Sequence, residues 1–310
     1  MSRLLCWVWL PLSLMSLCGT PLKADALRWQ WTVGEVYNIK FTSNVALAVS
    51  SDSDKLNYQN EIIVAGEWTV AKVNSSGIAH LHWQVKRVEI NPMAKEGQLK
   101  LDTDVKAENP DQATLQATLR GLLQKQFELL VNDTARLTGS KELRQDSTAS
   151  DKILSGNPER LGNVKLPPLF DSGGVARAFK HVFIQFPSDS LKPGDTWQPT
   201  LPLNIPEPKE MTVYKYLGVD GSAVSGRSPQ EPKRPQIVFT PKIYFDDSDQ
   251  ADIEVKSQKI EGKVYINTAE RFIEKVVIEL GLETITNDDG QKIHVLHEES
   301  HLIELKKLLR

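Results

Sequence analysis

The stretch "RFIEKVVIELGLETIT", Arg271–Thr286, decides the fold. Phe272, Val276, Ile278, Leu280 and Leu282 share one parity, so the stretch is amphipathic with a period of two. That period over this length specifies a half-buried β-strand rather than a helix. Its flanks read the same way. "ADIEVKSQKI" and "GKVYIN" precede it, and a turn at "NDDG" leads into "QKIHVLHEESHLIEL". The last third of the chain is therefore a β-meander.

The opening stretch "ALRWQWTVGEVYNIKFT", Ala26–Thr42, alternates as well. Leu27, Trp29, Trp31 and Val33 fall on one face, and Tyr37, Ile39 and Phe41 resume the pattern after Gly34-Glu35. The rings share parity with aliphatic residues, which predicts core packing rather than an exposed carbohydrate-stacking platform. "NEIIVAGEWTVAKV" and "IAHLHWQVKRVEI" then read as two strands around the turn "NSSG", with Leu81, Trp83 and Val85 opposite His80 and His82. "GQLKLDT" is a further short strand.

"NPDQATLQATLRGLLQK" changes character. Asn109 is a candidate N-cap, Pro110 suits the first helical position, and Leu115, Leu119 and Leu122 form one apolar stripe. "QFELLV" and "ARLTG" form a hairpin, and residues 140–165 are a polar connection. "GGVARAFKHVF" is a candidate second, short helix, and "FIQF" a candidate strand. "WQPTLPLNIPEP" carries four prolines, which confines it to an edge or an extended segment.

Three short pairs echo one another in the same order: "TVGEVY" with "KPGDTW", "WTVAKV" with "MTVYKY", and "GQLKLDT" with "GKVYINT". The expected fold is α+β, mainly antiparallel twisted sheet built from two related β-units, with one clear helix over 110–124. Residues 1–26 read as a signal peptide, 27–139 as the first unit, 140–190 as a connecting segment and 191–310 as the second unit.

The order "GEVY", "EWTVAKV", "LKLDTD", a helix, "QFELLV…ARLTG", "LKPGDTW" and "GKVYINTAERFIEKVVIEL" resembles a family of secreted β-rich proteins of unknown function common in planctomycete-type bacteria. In that family the last motif reads Asp-x-x-x-Gly-Arg-x-(apolar). Asn267 replaces its aspartate here, and Glu270-Arg271 replaces Gly-Arg, which alters the turn. The resemblance implies no activity, cofactor or catalytic residue.

The leader combines Arg3, the apolar run "LLCWVWLPLSLMSLCG" and an "ADA" cleavage signal ending at Ala26. It predicts an extracytoplasmic protein, periplasmic or secreted, without a transmembrane segment in the mature chain. A lipid anchor on Cys18 is the minority alternative, because Leu17 precedes the cysteine where a small residue belongs. Both cysteines, Cys6 and Cys18, lie in the leader, so cleavage leaves no disulfide, cysteine nucleophile or thiolate metal site. Formal net charge is −3 and no basic tract appears, which argues against nucleic-acid binding.

The candidate metal ligands are His294, His297 and His301 in "HVLHEESH". On a helix His297 and His301 would share a face; on a strand His297, Glu299 and His301 would, and the apolar flanks favour the strand. A solvated strand face is the simpler explanation of these residues. Zinc there, or calcium at "DDSDQAD", is the cofactor alternative to none. No G-x-S-x-G elbow, phosphate loop or dinucleotide fingerprint occurs. The leading expectation is a non-enzymatic binding module for a lipid, peptide or protein partner, such as an apolar ligand or an envelope protein, in a sheet-lined groove. The alternatives are a hydrolase with an acid- or His-centred site and a purely structural envelope protein.

Overall fold

The structure, a computed structural model, describes residues 29–51, 55–93, 100–123, 125–144, 160–161, 164–166, 169–187, 190–198, 209–218, 236–244, 253–288 and 291–308. The leader with Cys6 and Cys18, the acidic loop 246–252 and most of the Pro-rich stretch lie outside them.

Fourteen strands and two helices are described. The strands are β1 Val36–Ser50, β2 Lys55–Val73, β3 Ala79–Pro92, β4 Leu101–Asp102, β5 Gln126–Val131, β6 Leu137–Arg144, β7 Arg160–Leu161 and β8 Val164–Lys165. They continue with β9 Thr196–Trp197, β10 Lys209–Gly218, β11 Gln236–Tyr244, β12 Ile253–Asn267, β13 Phe272–Asp288 and β14 Gln291–Leu308. The helices are α1 Pro110–Leu122 and α2 Ser172–Phe179. One 12-stranded antiparallel sheet runs β6-β5-β3-β2-β1-β14-β13-β12-β11-β10-β9, with β4 on β3; β7 and β8 form a separate pair.

The stretch 271–286 is strand, as its period requires. The first and last strands meet in mid-sheet, with Val36 opposite Leu308 and Ser50 opposite His294. Residues from both expected units therefore lie in one sheet. Register is unbroken through β2, β1, β14 and β13, so parity assigns each side chain to a face along the whole length of these strands.

One face carries the core. Trp68 and Trp83 are direct cross-strand partners, both fully buried, and Phe179 of α2 meets their rings edge-on at 4.7 and 5.2 Å. The chain after α2 then crosses to the far half, where His181 stacks on Phe239 at 4.2 Å. Both helices contribute buried residues to this single cluster. Asn109 caps α1 by accepting from the Gln112 amide, and Asp171 caps α2 by accepting from Gly174.

Two expectations change. Residues 29–33 are not strand; Trp29 and Trp31 stack on each other at 4.6 Å, and Val33 is 60% exposed. The cause is the turn at Gly34, whose φ of +88° breaks the alternation before β1 begins. "FIQF" is irregular rather than strand, although Phe183 and Ile184 are buried. Core contacts from Phe183 to Trp68 and Trp29 hold that segment without a ladder.

The Gly34 turn has a counterpart at Gly194, with φ of +98°. Gly34 donates to the Val70 carbonyl at 2.8 Å and Val70 donates to Glu35 at 2.9 Å; Gly194 and Tyr216, and Tyr216 and Asp195, repeat both bonds at the same lengths. This "GE/GD" turn is the part of the sequence echo that the geometry reproduces.

Candidate binding face

The histidine cluster on β14 is divided by the sheet. His297, Glu299 and His301 share the core face, where both imidazole Nε2 atoms approach the Glu299 carboxylate, at 3.5 and 3.1 Å. His294 falls on the opposite face, opposite Ser50 and Ile285. Among the described residues, no three His, Cys, Asp or Glu side chains gather in a geometry that could hold a metal.

A second cluster sits on β3, β5 and β6. Glu128 lies directly across from His82 and next to Lys141 in register. Its Oε1 is 3.0 Å from His80 Nδ1 and 3.5 Å from His82 Nε2, while Oε2 is 2.8 Å from Lys141 Nζ. Burial alone would raise the Glu128 carboxyl; hydrogen bonds from Lys141 and His80 outweigh it and hold the group below its ordinary value. Spacing alone shows that His80 and His82 share a face. Glu128 is invisible to that reading, because the pairing joins residues far apart in sequence.

His181 is the buried titratable group of the core. Its Nδ1 lies 3.0 Å from the Tyr214 hydroxyl. Burial, with Lys180 and His301 nearby, drives its basicity well below the usual histidine range, so it stays neutral.

The helix-covered side holds the buried core cluster. The hollows lie on the opposite, open face. One of about 690 Å³ spans β13, β14, β1, β2 and β3 and sits over the seam where β1 and β14 pair. That size is within the usual range of ligand pockets, about 300–1,000 Å³. Two smaller hollows, about 380 and 290 Å³, continue along β1 over Ala46 and Ala48.

The large groove follows from register. Arg87, Ala65, Lys40, Glu304 and Lys275 form one row across five strands. Beside it runs an apolar row of Ile63, Leu302 and Val277, interrupted only by Thr42. Small Ala65 leaves the space, Ile63 supplies apolar floor, and the aliphatic stems of the lysines extend it.

Charges on the wall are held unequally. Arg87 grips Asp102 through two hydrogen bonds, 3.0 Å at Nε and 2.6 Å at Nη2, and reaches Glu89 at 3.1 Å. The Arg87 hydrogen bond is the main cause that holds the Asp102 carboxyl below its usual value. Lys86 pairs with Glu67 at 3.5 Å. Lys275 instead lies 5.7 Å from the centre of the Tyr265 ring.

No family model and no curated protein matches the chain. Among solved structures it is similar to lipovitellin, from a study of lipid–protein interactions, at 11% identity and a TM-score of 0.45. The alignment covers 89% of this chain and 25% of that one, so this chain spans about a quarter of lipovitellin. DynF of the dynemicin biosynthesis pathway of Micromonospora chersina aligns at 6% identity and a TM-score of 0.23, over 98% of this chain and 92% of that one. An outer membrane channel of Pseudomonas putida F1 aligns at 6% identity and 0.27, over 90% and 97%. Among the described residues, no helix is long and apolar enough to cross a membrane.

Proposed function

We propose that this protein is a non-enzymatic extracytoplasmic module that holds an apolar or amphipathic partner on the open face of its sheet. The observation that carries this reading is the groove of about 690 Å³ over the β1–β14 seam, floored by small and aliphatic residues. A rigid, long-stranded sheet supports it, and preformed concave sites of this size bury most of a small ligand's surface. The groove walls carry ammonium, guanidinium and carboxylate groups but no serine, threonine, cysteine or histidine among their lining residues.

The test is occlusion. Ala65 faces the groove between Lys40 and Arg87 in register, so Ala65→Trp fills it from the floor. The wild-type chain is expected to bind Nile red at one site, with fluorescence enhancement, and the variant is expected to lose at least about tenfold in affinity, or about 1.4 kcal/mol. An unchanged urea midpoint shows that the fold survives. Undiminished dye binding in a folded Ala65→Trp variant overturns the assignment.

A further inference from the structure

We infer that the occupant of this groove is a single-chain amphiphile with an anionic head, bound by Lys40, Lys275 and Lys306; this rests on the binding reading above. The first argument is charge contrast. The chain as a whole carries a net charge of −3. The groove is lined by five cationic side chains, Lys40, Lys86, Arg87, Lys275 and Lys306, against three acidic ones, Glu67, Glu274 and Glu304. With Lys86 paired to Glu67 and Arg87 to Asp102, Lys40, Lys275 and Lys306 stand against Glu274 and Glu304, a local excess of one cation in an acidic chain and an electrostatic complement to an anion.

The second argument is which cations are free to act. Lys86 is paired with Glu67, and Arg87 is committed to Asp102 and Glu89. Among the described residues, Lys40 and Lys306 form no ion pair, and Lys275 contacts only the face of Tyr265. These three come from the neighbouring strands β1, β14 and β13; Lys40 and Lys306 stand on the two strands of the seam, and the Lys275 ammonium leans over Tyr265 of β12. Glu304 lies between Lys40 and Lys275 in register and offsets part of their field.

The third argument is what lies beyond the cations. A small anion would need only the lysines. Here the cation row is flanked by the half-buried apolar side chains Ile63, Leu302 and Val277, and the next row, Glu61, Asn44, Ser300 and Glu279, closes that apolar strip with polar groups. From Ile63 on β2 to Val277 on β13 the strip crosses three strand spacings, about 14 Å at about 4.8 Å each, with Thr42 in its course. That is a track for an extended hydrocarbon tail attached to the bound head.

Titration calorimetry on the full chain tests the assignment with decyl phosphate, decanoate, decanol and decyltrimethylammonium, all below their aggregation limits. Each exposed charge contributes up to about 1 kcal/mol, or about fivefold in affinity. The two anions are expected to bind at least about tenfold more tightly than decanol. The combined variant Lys40→Gln, Lys275→Gln, Lys306→Gln should collapse that gap while keeping decanol affinity, and Glu304→Gln should widen it. Equal affinities for decyl phosphate and decanol, or preference for the ammonium compound, would overturn the head assignment and leave the groove reading intact. Failure of all four to bind wild-type protein would overturn the groove reading itself. Displacement of decyl phosphate by inorganic phosphate at equal concentration would overturn the amphiphile in favour of a small anion.

Discussion

At Gly262 the sheet depends on the absence of a side chain. A Cβ built there would lie 2.0 Å from the Phe239 ring, which occupies the space directly across the β11–β12 pair. Gly66 plays the same part on the other half, where a Cβ would meet Trp83 at 2.3 Å. In both cases a ring from the adjacent strand covers a glycine, which recovers packing lost to the missing side chain. Gly262→Ala forces a buried ring to move, and overpacking of this kind costs about 1–3 kcal/mol. Urea denaturation should show the loss, and the second-site change Phe239→Leu should recover part of it by shortening the ring. If Gly262→Ala is neutral, the close approach of Phe239 does not constrain the native core.

Among the elements, the segment from α2 to Ile184 connects the two halves of the core face. Phe179 and Phe183 pack on Trp68, whereas His181 reaches Tyr214 and Phe239. Because burial depresses His181, the unfolded chain binds a proton at a pH where the native state does not. Its contribution to stability is present above the unfolded histidine range, about 6.5, and is lost as pH falls below it. The urea midpoint should therefore drop between about pH 7.5 and about pH 5.5, before carboxylates such as Glu128 titrate, and His181→Phe should flatten that drop. An equal slope in the variant would show that His181 does not set it. The elements themselves were mostly legible in the chain. Period two marked β12–β14, and Asn109-Pro110 marked the start of α1. "FIQF" misled because its apolar residues are buried against rings of the core rather than in a paired strand. The proposed binding face was hidden for a different reason: Lys40, Lys275 and Lys306 come onto adjacent strands only when the register of β1, β14 and β13 is known. Parity did foresee that His297, Glu299 and His301 share a face, which the strand reading of "HVLHEESH" contained.

For the whole molecule, the arrangement of strands is simpler than the chain order implies. Read from β9 through β14 and then from β1 to β6, the main path is a sequential meander, interrupted only by the side strand β4. The first and last described strands of the sequence, β1 and β14, lie at the middle of that meander. Its central pairing, Val36 with Leu308, therefore joins residues near opposite ends of the sequence, while Lys307 and Glu35 meet at 2.6 Å. Non-local pairings are slow to form because the loop entropy must be overcome before contacts accumulate. Until β14 docks, β1 and β13 each present a long unpaired edge, which favours aggregation. A circular permutant that joins Leu308 to Trp29 by a short flexible linker, without residues 1–28, and opens the chain within residues 145–159 converts the β1–β14 pair into a local hairpin. The main cost is that α2 becomes distant in sequence from β5 and β6, which it contacts. Stopped-flow refolding of the permutant should be at least about tenfold faster than that of the natural chain at similar equilibrium stability, because its contact order is lower. Unchanged refolding rates would mean that closure of the β1–β14 seam is not the slow step, and that the nucleus forms within one half before the chain ends meet.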